Sequence, residues 1–335
     1  MIMSIEDLTD KVKKTFQYYG VPTIDAGIAA KCMVLADVYG ISTHGTIVLP
    51  SHIKRIKQNG YNLNPELKII KQSLAYTIID ADNAIGFVSA THCMEKAIEK
   101  AKESGIHTVF SRNSNAYGAA CCYPIQAARQ GMIGCSFCNS PAAMAPFNGK
   151  EKRLGTNPLS VVFPTNIPEK PIIIDMATSK VAKSKFLQAK REGRNLPDGW
   201  ALNKDGYPTN NPDEAIQGFV LPMEGFKGFA LALSIDIIAG LLSGAAYQDH
   251  VGRFYDESGA AMNVGQVFIA INPELFGEPY EYCDIICKYI ENMRKCKTID
   301  QQSSIILPGD DKLKAYDNAI HNGIEVSNEV IKIIL

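Results

Sequence analysis

The sequence predicts a mixed α/β protein with two lobes, and three observations carry that prediction. The chain has 335 residues, which is enough for a large core and more than one compact unit. Segments with helical periodicity alternate along it with short apolar runs that turn residues bound. No GxGxxG follows a predicted strand and no GxxxxGK[ST] occurs, so neither a Rossmann fold nor a P-loop has its fingerprint here.

Periodicity and capping residues place the individual elements. Helices are predicted over residues 4–19, 24–39, 46–58, 88–102, 123–130 and 179–192, with further helices near the C-terminus. Strands are predicted over residues 75–80, 107–110, 132–139, 159–165, 171–177 and 265–273, and in the short run SSIILPG at 303–309. The loop between the strands at 132–139 and 159–165 is long and rich in Pro, Gly and Asn, which is typical of a functional loop.

Charge and cysteine usage exclude several classes of protein. The 34 basic and 35 acidic residues balance, so the sequence-wide positive field of a nucleic-acid-binding protein is missing. The N-terminus, MIMSIEDLTDKVKKTF, has no apolar signal region, and we therefore expect a cytoplasmic protein with free thiols. Cys135 and Cys138 form a CxxC inside a strand-like run, which favours buried thiols over a metal or redox site; Cys283 and Cys287 are expected to pack in the core.

The segment KGFALALSIDIIAGLLSGAA, residues 227–246, approaches the length of a membrane span. Asp236 lies in its middle and no other segment resembles it. We therefore predict a fully buried helix of a large core, which also contributes to a subunit contact, and no interaction with a membrane.

A histidine follows a turn in GISTHGTIVLPSHIKRI, residues 40–56. If the helix is continuous there, His44, Val48 and His52 at i, i+4 and i+8 share one face. His44 is then either an acid/base whose pKa the helix dipole lowers, or a solvated first-turn residue after a Ser42 or Thr43 cap.

Two further stretches have more polar residues than a core requires. After a strand, the run Arg112, Asn113, Ser114 and Asn115 offers donors to an anionic ligand or forms a turn that caps the next helix. Asp175 closes an apolar strand, where its carboxylate orients a histidine, binds a ribose hydroxyl or caps a helix. Lys227 begins an apolar helix against the dipole, which indicates a ligand phosphate or carboxylate, or else a lysine that extends to solvent.

Together these stretches resemble the second, non-Rossmann family of malate/L-lactate dehydrogenases, which includes sulfolactate, ureidoglycolate and diketogulonate dehydrogenases and piperideine-carboxylate reductases. The matching segments occur in the family's order over roughly residues 5–276: ADVYGISTHG, RNSNAYG, NSPAAMAPFNGKEKRLGTNPLSVVFP, IDMATSKVAKSK, LPDGWALNKDGYPTNNP, GFKGFALALSIDIIAGLLSGA and VFIAINP.

The resemblance implies an α/β (α+β) fold with a largely antiparallel, non-Rossmann NAD(P)-binding domain at residues 121–264. It implies a discontinuous helical and mixed domain, residues 1–120 with 265–335, for substrate binding and homodimer formation. It also implies hydride transfer between nicotinamide and a 2-hydroxy/2-oxo acid. The cofactor contacts it implies are His44, Ser140, Gly155, Thr156, Asn157, Asp175, Met176, Ala177, Lys227 and Gly228.

The sequence departs from the family pattern on the substrate side. The family has an arginine four residues after the histidine and a tyrosine eight after it, where this chain has Val48 and His52. The second histidine of the family's NxNHFG is Ala116. Valine cannot grip a carboxylate in the bidentate way that arginine does. We therefore hypothesise that His52, helped by Arg55 or Arg112, supplies the missing positive or donating group.

The resulting prediction is a cytoplasmic, homodimeric NAD(P)-dependent 2-hydroxyacid dehydrogenase, with malate/oxaloacetate as substrate and NAD slightly favoured over NADP. His44, Asp175 and His52 are the predicted catalytic residues, and Arg112, Asn115 and Thr156 the predicted substrate contacts, with no metal. Two alternatives stay open: reduction of another 2-oxo acid or cyclic imine acid, and a cofactor-binding paralogue with weak catalysis.

Overall fold

The computed structural model describes residues 1–277, 281–300 and 303–335. The α-helices are α1 (Ile5–Tyr18), α2 (Thr23–Val38), α3 (Leu49–Lys57), α4 (Gly86–Ser104), α5 (Pro124–Ala128), α6 (Ser184–Arg191), α7 (Pro212–Gln217), α8 (Phe226–Ile235), α9 (Glu281–Arg294), α10 (Asp310–Asn322) and α11 (Asn328–Ile331). Short 3-10 helices and one π-helix, Asp236–Leu241, connect some of them.

The strands are β1 (Ile2–Met3), β2 (Lys68–Gln72), β3 (Tyr76–Asp80), β4 (Ile106–Ser114), β5 (Ile133–Cys138), β6 (Leu159–Phe163), β7 (Ile172–Met176), β8 (Ala201–Leu202), β9 (Pro208–Thr209), β10 (Phe219–Val220), β11 (Val264–Ile271) and β12 (Ile324–Glu325). A seven-stranded sheet has the order β2-β3-β4-β11-β5-β6-β7. All of its neighbouring pairs are antiparallel except β3–β4. The predicted mixed α/β class with a largely antiparallel sheet is confirmed.

The strand directions bring the predicted functional loops to one edge of the sheet. Ser114 at the end of β4 pairs with Val264 at the start of β11, and Cys138 at the end of β5 pairs with Gln266. Leu159 at the start of β6 pairs with Met176 at the end of β7. The carboxyl ends of β3, β4, β5 and β7 and the amino ends of β6 and β11 therefore share this edge, which we call the loop edge.

The sheet crosses the boundaries of the two predicted domains. Strand β11, from the C-terminal part of the chain, lies between β4 and β5, so residues on both sides of 120/121 and 264/265 form one sheet. A separate small core lies within residues 144–232, beside the three-stranded sheet β10-β8-β9. The seven-stranded sheet thus contains strands from both the predicted substrate domain and the predicted cofactor domain.

Most predicted elements are present, with several corrections. The run SSIILPG forms no strand, and the edge strand β2 was not predicted. Ser4 caps α1 as expected, its side chain accepting from the Asp7 amide. Cys138 is buried and Cys135 half-buried in β5, and both thiols are free as predicted; Cys283 and Cys287 are half-buried on the surface of α9 rather than packed in the core.

The apolar segment at 227–246 forms α8 and the π-helix, which continue directly into each other. Within the described part of the chain, no helix is both long and apolar enough to cross a bilayer. Ile235 and Ala239 pack on the sheet against Val267, but four other side chains are 37–62% exposed: Ile237, Ile238, Leu241 and Leu242. The prediction of a helix buried on all sides is therefore wrong for the single chain.

Candidate active site

The turn that carries His44 is not part of a continuous α-helix. Ser42–His44 forms a 3-10 turn, Gly45 adopts an extended conformation with φ −87° and ψ −150°, and Thr46–Val48 forms a second 3-10 turn before α3. Because Gly45 interrupts the helical repeat, the prediction that His44, Val48 and His52 share one helical face is wrong.

The His44 ring is held from its own turn. Its Nδ1 lies 2.9 Å from the Thr43 hydroxyl oxygen, which leaves Nε2 for a ligand. The residue is exposed in the single chain, yet the protein around the ring lowers its pKa by desolvation. The direction agrees with the prediction, but the cause is desolvation and not the dipole of a helix. A neutral imidazole can accept a proton at Nε2 near neutral pH.

His52 lies in the core, and not beside His44. It is 2% exposed, and its Nδ1 lies 2.9 Å from the Tyr61 hydroxyl oxygen. The centroid of its ring lies 5.0 Å from that of Phe87 and 4.8 Å from that of Phe254. Burial and the charge of Arg55 lower the pKa of His52 to about 3. A neutral, enclosed imidazole cannot supply a positive group to a substrate, so the predicted catalytic role of His52 is wrong.

The arginines proposed to help His52 have structural partners. Arg55 is 1% exposed and donates to the carbonyl oxygens of Gly60 and Ala260 at 3.2 and 3.0 Å, besides those of residues 253 and 254. Arg112, at the loop edge, pairs with Asp80 through a 3.1 Å Nε–Oδ2 bond. Arg55 thus holds the loop that packs on α3, whereas a substrate contact by Arg112 stays a prediction.

Asn115 fixes the loop after β4 instead of facing a ligand. It is fully buried, and its Nδ2 donates to Asn83 Oδ1 at 2.9 Å and to the Ala84 carbonyl at 2.8 Å. The Nδ2 donor of Asn115 is therefore used within the fold, which argues against the predicted substrate contact, while its buried Oδ1 has no hydrogen-bond partner among the described residues. The loop it fixes reaches His44: a Cβ built on Gly118 would lie 3.6 Å from the His44 carbonyl oxygen.

On the other side of the loop edge, Ser140, Gly155 and Asn157 are in direct contact. The Ser140 amide donates to Asn157 Oδ1 at 3.0 Å, and Asn157 Nδ2 donates to the Ala232 carbonyl of α8 at 2.9 Å. A Cβ on Gly155 would lie 2.1 Å from the Ser140 carbonyl oxygen, so only glycine allows this approach. The place of a side chain at residue 155 is therefore filled by Ser140 and Asn157, and the glycine fixes how these loops pack on each other.

A chain of backbone hydrogen bonds joins these loops to the start of α8. The Thr156 carbonyl accepts from the Thr178 amide and hydroxyl, both at 2.9 Å; the Thr178 carbonyl accepts from the Met223 amide at 2.9 Å; and the Met223 carbonyl accepts from Gly228 at 2.8 Å. Lys227 is exposed in the first turn of α8, and no hydrogen bond or ion pair to another described residue holds its ammonium. The structure thus gathers the predicted cofactor residues and leaves a cation free among them.

Asp175 ends β7 at the same edge. Burial raises the pKa of its carboxyl to about 6, while the Lys312 charge and the bond to the Cys121 thiol oppose that rise. Its hydrogen-bond partner is Cys121, whereas the partner of the His44 ring is Thr43. The prediction that Asp175 orients His44 is therefore wrong; Met176, beside it, is 38% exposed and available to a ligand.

Two groups of residues near the site were not predicted. Gly309 packs on Ile173 of β7, where a Cβ would lie 2.8 Å from its carbonyl oxygen, and this contact brings Asp311 and Lys312 towards Asp175. Sequence reasoning could not find them, because no local pattern ties residue 309 to residue 173. Asp37 also contacts the His44 turn, and its place inside the matched ADVYGISTHG segment was a usable signal.

A cavity in the described part of the chain lies just before the start of α8. Its volume is about 700 Å³, and its lining comes from residues 145–150, 199–207 and 219–225 together with Lys180. None of the predicted catalytic residues lines it. Glu224 and Gly225, just before α8, line this cavity, but none of the predicted cofactor residues is among its lining residues.

Comparison with known proteins gives the family. The family profile described as malate/L-lactate dehydrogenase matches residues 3–334, and the chain belongs to that family. It is 36% identical over 321 residues to malate dehydrogenase of Pyrococcus horikoshii, covering 93% of this chain and 88% of that protein. It is also 36% identical to L-sulfolactate dehydrogenase of Methanocaldococcus jannaschii, with 95% and 92% covered.

The fold agrees with solved structures of such proteins. The sulfolactate dehydrogenase structure from Methanocaldococcus jannaschii superposes with a TM-score of 0.91 at 34% identity, covering 99% of this chain and 95% of that one. The predicted family and the predicted class of enzyme, an oxidoreductase of the hydroxyacid dehydrogenase type, are therefore confirmed.

Replacing His52 with alanine is expected to lower the free energy of unfolding by about 2–5 kcal/mol, because it empties a buried site. The KM for the oxo acid should stay within about twofold of wild type, because the ring does not reach substrate. The measurements are denaturant unfolding and steady-state kinetics, with His52→Phe as the size-matched control. A raised KM at unchanged stability would restore the substrate role.

Replacing Thr43 with valine is expected to lower kcat about fivefold to tenfold, because the ring loses a hydrogen bond that contributes about 1 kcal/mol. Thr43→Ser keeps the hydroxyl and should retain wild-type kcat. If valine and serine behave alike in steady-state assays, the Thr43 hydroxyl does not orient His44.

Proposed function

We propose that this protein is an NAD(P)-dependent 2-hydroxyacid dehydrogenase that interconverts malate and oxaloacetate. One observation carries the proposal: His44, an exposed imidazole with a free Nε2, belongs to a turn whose backbone borders the loop after β4 at Gly118, at the same sheet edge that gathers Ser140, Gly155–Asn157 and Lys227. An acid/base and an exposed cation on the loops of one sheet edge suit a small acid and a dinucleotide.

The residues of the cofactor side fit a dinucleotide. Gly155 lets the loops at Ser140 and Asn157 pack directly on each other, which fixes their backbone groups, and Lys227 is an exposed cation in the first turn of α8. Ser140, Thr156 and Asn157 would hold the dinucleotide by backbone and side-chain groups, while Asp175, Met176, Ala177 and Gly228 would line it. When bound, the cofactor supplies or accepts the hydride at nicotinamide C4.

His44 accepts and donates the proton of the substrate hydroxyl. In oxidation the neutral ring accepts the hydroxyl proton of the 2-hydroxy acid at Nε2, while Thr43 holds Nδ1. In reduction the protonated ring gives that proton to the oxygen that becomes the hydroxyl. Because desolvation lowers the His44 pKa, the base form dominates at neutral pH and oxidation needs no further activation of the ring.

The substrate side favours a second candidate function as well. Val48 and Ala116 stand where the family has an arginine and a histidine, and both pack against the hydrophobic core. His52 does not compensate for them, which leaves backbone amides, Thr156 and Arg112 as the candidate carboxylate contacts. This supports either another 2-oxo or cyclic imine acid as substrate, or a cofactor-binding protein with weak catalysis.

We infer NAD rather than NADP as the preferred cofactor. Asp175, at the end of β7, lies near the Asp311 carboxylate, and its charge suits a ribose hydroxyl better than a ribose phosphate. Lys312 partly offsets this charge. For location we propose the cytoplasm, because the nine cysteines are all free thiols and eight of them are buried or half-buried.

We also propose a homodimer that uses α8 and the π-helix. Ile237, Ile238, Leu241 and Leu242 form a continuous row on the outer face of this helix, and a monomer would leave them in water. The inner face of the same helix packs on the sheet. Pairing this row with its copy would bury apolar surface that the single chain exposes.

Replacing His44 with alanine is expected to lower kcat about 100-fold or more, the usual contribution of a positioned acid/base. In the wild type, kcat/KM for oxidation should fall as the pH falls through the His44 pKa, which lies below the ordinary value of about 6.5. His92→Ala, an exposed histidine paired with Glu95, is the control. An unchanged kcat in His44→Ala would remove this residue from the mechanism.

The substrate is tested by NADH and NADPH oxidation against oxaloacetate, pyruvate, sulfopyruvate, glyoxylate and piperideine-carboxylate. We expect the highest kcat/KM with NADH and oxaloacetate. Preference for another acid of the panel would establish the alternative substrate, and NADH binding with no turnover on any of them would establish the weak-catalysis alternative.

Replacing Leu242 with glutamate should convert the dimer to a monomer in size-exclusion chromatography with light scattering, because a charge in an apolar interface is left unpaired. Leu74→Glu is the matched control, since Leu74 is 81% exposed on the turn between β2 and β3. A dimer that persists in Leu242→Glu, or a monomeric wild type, would contradict the assignment of this face.

A further inference from the structure

A carboxylate from α2 ties down the turn that carries His44. Asp37 lies in the last turn of α2, and its Oδ2 accepts from the Thr46 amide at 2.8 Å and from the Thr46 hydroxyl at 2.7 Å. Thr46 is 4% exposed and follows His44 by two residues. The contact therefore closes a short loop whose middle is the His44 turn.

The same carboxylate lies against the backbone of Gly45. A Cβ built on Gly45 would lie 1.8 Å from Asp37 Oδ1 and 2.3 Å from its Cγ. Only glycine leaves space for the carboxylate to reach the Thr46 amide. Gly45, whose extended conformation interrupts the helical repeat after His44, therefore packs directly on the Asp37 carboxylate.

A carboxylate in this place is costly to the fold. The last turn of a helix carries the negative end of its dipole, where an acidic side chain is unfavourable. Burial raises the pKa of Asp37 to about 6, and the two Thr46 bonds are the contacts that oppose the rise. No lysine or arginine contributes to that balance. Because burial and the helix dipole both disfavour a carboxylate here, the position that Asp37 gives to the His44 turn explains its presence better than a gain in the stability of the fold.

We propose that Asp37 is a positioning residue for catalysis, which sets the direction of the His44 ring by holding Thr46 and Gly45. The inference rests on the proposed role of His44 as the acid/base. At neutral pH the carboxylate is ionised and accepts both Thr46 hydrogen bonds. Asp37 itself does not contact the reacting atoms; without it, the turn between Ser42 and Val48 would sample other directions of the ring.

The test uses Thr46→Val, which removes one of the two hydrogen bonds, and Asp37→Asn, which removes the charge, with Thr46→Ser as the conservative control. We expect kcat for oxo-acid reduction to fall about tenfold in the first two and to match wild type in Thr46→Ser, since small misplacements of a catalytic group reduce rates strongly. The dissociation constant for NADH, from fluorescence titration, should stay within about twofold. Thermal unfolding shows which variants are folded.

A second measurement separates positioning from a merely structural role. In a His44→Ala background, Asp37→Asn and Thr46→Val should have no further effect on kcat, because the group they position is gone. If these substitutions lower kcat by the same factor in both backgrounds, the inference is overturned. A wild-type kcat in folded Thr46→Val and Asp37→Asn would also overturn it. In both cases the proposed role of His44 would remain. An unchanged kcat in His44→Ala alone would instead overturn the proposed function on which the inference rests.

Discussion

The antiparallel insertion of β11 between β4 and β5 is the constraint on which the site depends. Because β11 is antiparallel to both neighbours, β4 and β5 run in the same direction, so the loops after β4, β5 and β7 and the loop before β6 all leave at one edge. A parallel sheet reaches a comparable edge with helical crossovers and a glycine-rich first turn. Here the backbone contacts of Gly155 with Ser140, and of Gly228 with Met223, provide the close approach instead.

The histidine reaches this edge from outside the sheet. Its turn is placed by α2 through the Asp37 contacts and borders the loop after β4 at Gly118. The two halves of the proposed site are thus supported separately: hydrogen bonds at the sheet edge hold the predicted cofactor residues, and a short tethered turn holds His44. Val48 and Ala116 pack against the hydrophobic core, so their apolar character leaves the mutual contacts of the predicted cofactor residues unchanged.

The sequence was informative where local patterns determine structure. Periodicity and caps place α1, α2 and α4, and the apolar runs place β3 to β7 to within a few residues. The sequence did not predict features that depend on one backbone conformation or on contacts between residues that are far apart in the chain. Helical spacing put His44 and His52 on one face, but the extended Gly45 and the aromatic neighbours of His52 separate them. The polar run at 112–115 indicated that Asn115 donates to a ligand, but its Nδ2 donates to Asn83 and Ala84.

The most direct test of the account is a crystal structure of the protein with NADH. The account predicts the nicotinamide ring against the His44 imidazole, with the phosphates beside Gly155–Asn157 and the start of α8. A dinucleotide found away from His44, for example wholly within the cavity near Lys180, would contradict it.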